Sequence, residues 1–93
     1  MDVRRSDNGK KGSFYIEENG ARIAEMTYVY AGDSQFIIDH TEVQEGNSGR
    51  GLGKQLVTAA VEFARERHMR IMPLCPFAKS VFDRVPEFSD VLR

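Results

Sequence analysis

Gly46-Asn47-Ser48-Gly49-Arg50-Gly51-Leu52-Gly53-Lys54 decides the fold. On its N-terminal side the residues alternate as in a strand. Gln35 to Val43 places Ile37, Asp39, Thr41 and Val43 on one face and Phe36, Ile38, His40 and Glu42 on the other. On its C-terminal side the period changes. Leu52, Leu56, Ala59, Ala60 and Phe63 follow the i, i+4, i+7, i+8, i+11 spacing of an amphipathic helix, predicted to run to about Arg67. A strand thus enters a glycine-rich turn and a helix leaves it. Glycines let the backbone turn sharply and let a ligand approach the amides. The helix N-terminus adds unpaired N–H groups and a partial positive charge, a combination that suits a pyrophosphate. Arg50 and Lys54 add cationic side chains. A loop that merely turns the chain is the alternative.

Upstream, Phe14 to Glu18 and Ala21 to Tyr30 read as strands joined by Asn19-Gly20, a strong hairpin signal. With Gln35 to Val43 they make an antiparallel meander. Met1 to Gly12 is polar and is expected to be flexible. Downstream, Arg70 to Cys75 reads as a short strand in which Pro73 cannot donate to a ladder. Pro76 suits the first turn of a second helix that buries Phe77, Val81, Phe82 and Val85 and stops before Pro86. The expected fold class is mixed α/β (α+β): a β-meander followed by a β-α-β-α unit, with the last two strands parallel.

The chain has 93 residues, so residues 1–93 are expected to form one domain. Thirteen basic against fourteen acidic residues argue against a broad nucleic-acid surface. Mean hydropathy is −0.44, and no run approaches the ~18 apolar residues of a membrane span. The polar N-terminus has no apolar stretch of the kind that directs secretion. One cysteine excludes an internal disulfide framework, and a reduced, cytoplasmic setting is expected. Two histidines and one cysteine are too few for a structural zinc site.

Two familiar phosphate motifs fail on the loop. A P-loop would need Gly at Ser48 and Ser or Thr at Gln55, and neither reading frame of G-x-G-x-x-G closes. Ser48-Gly49-Arg50-Gly51-Leu52-Gly53 instead resembles Arg/Gln-x-x-Gly-x-Gly, the coenzyme A pyrophosphate loop of the GNAT superfamily of N-acetyltransferases. Ser48 stands where Arg or Gln is usual. The resemblance covers about Phe14 to Phe88 and extends to His40-Thr41-Glu42-Val43 before the loop and Pro73-Leu74-Cys75-Pro76-Phe77-Ala78 after the helix. It is similar to the very short single-domain branch of that superfamily.

The resemblance implies acetyl-coenzyme A as cofactor, with no metal. It places the pyrophosphate on Gly49, Arg50, Gly51, Leu52, Gly53 and Lys54. It places the pantetheine arm along Thr41 and Val43, in a splay between the strand before the loop and the next parallel strand. It also implies transfer to an amine: a peptide or protein lysine, an N-terminus, or a small amine. A coenzyme A-binding module with little turnover is the alternative. A monomer or weak homodimer is expected.

Acetyl transfer to an amine needs a proton acceptor for the amine and a donor for the leaving thiolate. Larger GNAT enzymes often end the fifth strand on Asn, with Ala three residues on and a Tyr acid four further. These positions are Cys75, Ala78 and Phe82, and Phe82 has no proton to give. Cys75 precedes a helix start, which favours a thiolate. It reads as proton donor or nucleophile, or as a buried packing residue. His40 is the candidate base, expected on one face with Ile38 and Glu42, and Glu42 acting through water is the alternative. His68 at the helix end suits the dipole only. The tight Asn19-Gly20 turn leaves no residues for helices that would wall an acceptor site.

Overall fold

The computed structural model describes residues 2–47 and 49–93. Strands β1 (Arg4–Asp7), β2 (Lys11–Glu18), β3 (Ala21–Tyr30) and β4 (Gln35–Val43) precede helix α1 (Leu52–Arg67). Strand β5 (Arg70–Pro73), helix α2 (Pro76–Arg84) and a 3-10 helix (Pro86–Val91) follow. The strands lie in sequence order in one sheet, antiparallel from β1 to β4 and parallel between β4 and β5. The mixed α/β class and the β-α-β-α unit are as the sequence implied.

The core lies between one sheet face and the helices. Phe14, Ile16, Ala24, Met26, Tyr28, Phe36 and Ile38 point from the strands, and Leu56, Val57, Ala60, Val61 and Ala64 meet them from α1. Each large aliphatic side chain buried here contributes roughly 1.5–3 kcal/mol. α1 ends at His68 in the left-handed region, φ 57°, and the next N–H, from Met69, closes on the Ala64 carbonyl at 2.8 Å. Arg65 then fixes the 3-10 helix through a two-pronged contact with Asp90 at 2.8 and 3.0 Å.

Three expectations change. Residues of the 1–12 segment, expected to be flexible, include strand β1 and the start of β2, and Met1 lies outside the described residues. Asn8-Gly9 makes the turn between them: the Asn8 Oδ1 accepts from the Lys10 and Lys11 amides, and Gly9 takes φ 86°. β1 is exposed at every position, so it has no apolar period to betray it. Second, β5 ends at Pro73 rather than Cys75. Third, β4 is not a regular two-residue alternation. Thr27 pairs with His40 but Tyr28 pairs with Ile38, so Asp39 is an extra residue, a bulge.

Candidate functional site

The bulge at Asp39 reverses the faces of β4 beyond it. Thr41 lies opposite Met26, which is wholly buried, and therefore turns toward the core side. His40 lies opposite Thr27 on the other face, its side chain 65% exposed, with Nε2 3.5 Å from a Glu42 carboxylate oxygen. The expectation that His40 shares a face with Ile38 is thus corrected. One inserted residue shifts a period-2 pattern by one. Asp39 itself accepts a hydrogen bond from the Thr27 hydroxyl at 2.5 Å.

β4 and β5 part at the same place. Their register ends at Ile38 and Pro73, and the Leu74 and Cys75 amides both donate to the Ile38 carbonyl, at 3.0 and 3.1 Å. Beyond this point β4 pairs only with β3. The Gln44 N–H donates to Ile23 in β3 at 2.8 Å, so by alternation the backbones of Val43 and Thr41 face the edge that β5 leaves.

Cys75 sits at the mouth of this splay as the N-cap of α2. It is 6% exposed and unpaired by any disulfide. Its thiol donates to the Thr41 hydroxyl at 3.3 Å. Desolvation pushes the thiol pKa up. Hydrogen bonds from the Thr41 hydroxyl and from the backbone of Ala78, Phe77 and Thr41 pull it down, and the balance lies below the ordinary value. Thr41 and Cys75 are thus brought together, while His40 is held on the opposite face. Thr41 as a partner of the sulfur was not legible, because the bulge that turns it inward leaves no mark in the alternation. Phe82 is a core residue, 5% exposed and edge-on to Phe88.

The glycine-rich turn runs into α1 with no side-chain cap and no acidic residue in its first turn. Gly49 and Gly51 take φ 85° and 72°, the left-handed region where a side chain is strained. A Cβ on either would meet nothing within 4 Å. There is therefore open space beside both glycines, and the first-turn amides of α1 follow directly after them. Ser48, the residue at the usual Arg or Gln position, lies outside the described residues. Leu52 offers only its backbone, since its side chain is buried in the core. Arg50 is engaged by Glu18 at 3.2 Å and by Asn47 at 2.6 Å. Lys54 is exposed and, with Gly51, Gln55, Thr58 and Ala59, lines a groove of about 460 Å³ along α1.

On the sheet face that carries His40, a second groove of about 480 Å³ runs between Ser13, Glu25, Thr27, Val29 and Asp39. Among the described residues no group of three or more His, Cys, Asp or Glu is placed to hold a metal, and no helix is long and apolar enough to cross a membrane.

A family model described as GCN5-related N-acetyl-transferase matches residues 13–91. The chain is 31% identical over 74 residues to Protein NATD1 of Xenopus tropicalis, a match covering 78% of this chain and 68% of that protein. It spans about two thirds of the length of such relatives. The solution structure of a GCN5-like putative N-acetyltransferase from Staphylococcus aureus aligns with TM-score 0.74 and 35% identity, over 99% of this chain and 87% of that one. AAC(6')-Iy, solved with the bisubstrate analogue CoA-S-monomethyl-acetylneamine, aligns with TM-score 0.60 over 83% of this chain and 61% of that one; at 16% identity the likeness is one of fold.

Proposed function

Since the chain belongs to the GCN5-related N-acetyltransferase family, we propose that it transfers an acetyl group from acetyl-coenzyme A to an exposed amine on a peptide or protein. The arrangement that carries this reading is the Cys75 thiol, hydrogen-bonded to Thr41 and flanked by the α2 amides, beside the unpaired edge of β4.

The chain's residues fit that cofactor. Uncapped amides at the α1 N-terminus, under a loop with open space above Gly49 and Gly51, suit a pyrophosphate. The backbones of Thr41 and Val43 offer strand-like hydrogen bonds to an extended amide arm. When bound, acetyl-coenzyme A supplies an acetyl group activated as a thioester. Cys75 holds a proton that it releases readily, because the thiolate left behind can accept from the Thr41 hydroxyl, which turns to donate, and lies at the amide end of α2. His40, or Glu42 beside it, accepts the proton of an amine arriving on the outer face. The sheet then separates the two proton-handling groups: donor on the core side, acceptor on the open side. That open side is a broad polar surface on which Asp39 and Glu42 are acidic and Glu25 is paired with Arg22; its open shape favours an extended acceptor such as a lysine-bearing peptide over a small enclosed one. A reduced, cytoplasmic setting belongs to the same reading, because Cys75 must stay a free thiol.

The test is a mass spectrum of a mixed peptide pool incubated with the protein and acetyl-coenzyme A. Acetylated peptides support the reading. Coenzyme A binding without any acetylated product supports the binding module instead, the reading that Phe82, lacking a proton at the usual acid position, favours.

Two variants sharpen it. Coenzyme A is expected to raise the melting temperature by mass action. Gly51→Val should abolish that shift, since it puts a branched side chain at φ 72° in the open space above the α1 amides. An undiminished shift would remove the loop from the site. His40→Ala should lower turnover by about 10²-fold, the lower end for a general base, with coenzyme A affinity unchanged. Full activity in that variant would pass the role to Glu42.

A further inference from the structure

Gly53 does not behave like the other loop glycines. It lies inside α1, is buried, and has no positive φ. A Cβ built on it would stand 2.3 Å from Cζ and 2.5 Å from Cε2 of Phe77. The ring of Phe77, the second residue of α2, therefore occupies a notch on α1 that exists only because residue 53 lacks a side chain. Phe77 is nevertheless 39% exposed.

We propose that the Phe77 ring seated in the Gly53 notch is a positioning contact, holding the first turn of α2 so that its amides stay aimed at the Cys75 sulfur. The geometry on either side supports this. Cys75 is the N-cap of α2, so the Phe77 and Ala78 amides are the helix-start donors on its side, and they help hold its thiol pKa down. α2 is only nine residues long, and it begins with Pro76, which brings no N–H of its own. The Cys75 carbonyl is already taken by the Lys79 amide at 3.0 Å, and the Phe77 carbonyl by the Ser80 hydroxyl at 2.6 Å. A shift of this turn would thus move the α2 amides, and Cys75 at their head, relative to Thr41 on β4. The same contact joins the start of α2 to the second residue of α1, so the two helix N-termini that the proposed function uses touch each other. Gly53 then has a packing role at a position where the loop resemblance implied only cofactor contact.

This inference rests on Cys75 as the reactive group, and it is tested without cofactor or turnover. The readout is the pH dependence of iodoacetamide alkylation of Cys75. Gly53→Ala displaces the ring. Phe77→Leu removes the Cε and Cζ atoms and empties the notch. Each should slow alkylation at neutral pH by about threefold or more, as the thiolate loses donors. The pair Gly53→Ala with Phe77→Leu puts a methyl where the ring atoms were, and should bring the rate back toward that of the unaltered protein. Wild-type profiles in both single variants would overturn the proposal. So would a double variant slower than either single one, since that means additive damage rather than a matched pair. If Gly53→Ala fails to fold, Phe77→Leu alone still decides: an unchanged alkylation profile rejects the positioning role. A peptide pool left unacetylated by the parent protein would reject the transferase reading and leave this result standing.

Discussion

Cys75→Ala should lower acetyl transfer by about 10²–10⁴-fold, the range for loss of a positioned general acid or base, while coenzyme A affinity stays within about threefold. The reasons are geometric. The sulfur touches the Thr41 hydroxyl at 3.3 Å and sits at the N-cap of α2, and hydrogen bonding holds its pKa below the ordinary value where β4 and β5 separate. The same groups would not speed a reaction if Cys75 only filled space. Alkylation separates the two cases. Because hydrogen bonding outweighs desolvation, the iodoacetamide rate of the native protein should reach half its plateau at a lower pH than a model thiol does. Coenzyme A should protect the thiol by covering it. Cys75→Ser keeps the size and loses the acidity, and should fall nearly as far in turnover as Cys75→Ala. Thr41→Val removes one donor and should shift the alkylation midpoint upward without abolishing activity. A slow thiol that coenzyme A does not protect, together with full turnover in Cys75→Ala, would make Cys75 a packing residue and move the chain toward the binding-module reading.

The sequence shows elements whose stability comes from an apolar period, and it hides those held by polar contacts. α1 was legible because Leu52, Leu56, Ala60 and Phe63 recur on one side, and its ends were found at Leu52 and Arg67. β3 and β4 were legible from alternation and from Asn19-Gly20. β1 was not, since all four of its residues are exposed; the signal that existed was Asn8-Gly9, the same dipeptide as in the hairpin that was read. At the site, the glycine loop and the position of Cys75 followed from the strand-to-helix transition and Pro76. The separation of His40 from Cys75 did not, because the bulge at Asp39 is set by how β3 and β4 pair. A bulge is a relation between two paired strands, and the alternation within β4 does not mark it. The Gly53 notch was hidden for the same reason: its filler, Phe77, comes from another helix.

Asp7→Ala should produce the largest loss of stability of any single polar substitution in the N-terminal half, about 2–3 kcal/mol, or roughly 10–20 °C in Tm for a domain this size. The Asp7 carboxylate accepts the Tyr28 and Tyr30 hydroxyls, each at 2.7 Å, pairs with Arg5, and takes the Gly9 amide at 3.1 Å. Tyr28 is wholly buried and packs against Phe14, Phe36 and Phe63, so removing its acceptor strands a hydroxyl at the edge of the aromatic core. Arg5 lies over the Phe63 ring at 4.4 Å, and its guanidinium donates to the Tyr28 oxygen, so this cluster ties β1 to the core. The pH dependence has a definite sign. Hydrogen bonds from Tyr28 and Tyr30 hold the Asp7 carboxyl below its ordinary value in the folded chain. Its contribution is therefore complete above the unfolded value, about pH 4, and is lost as pH falls through the lower folded value. Asp7→Asn keeps an acceptor and loses the charge. Its stability deficit should be greatest near neutrality and shrink toward zero in acid, as the native carboxyl takes up a proton. A deficit that stays constant down to pH 2 would mean that packing, not the charge on Asp7, holds β1 in place.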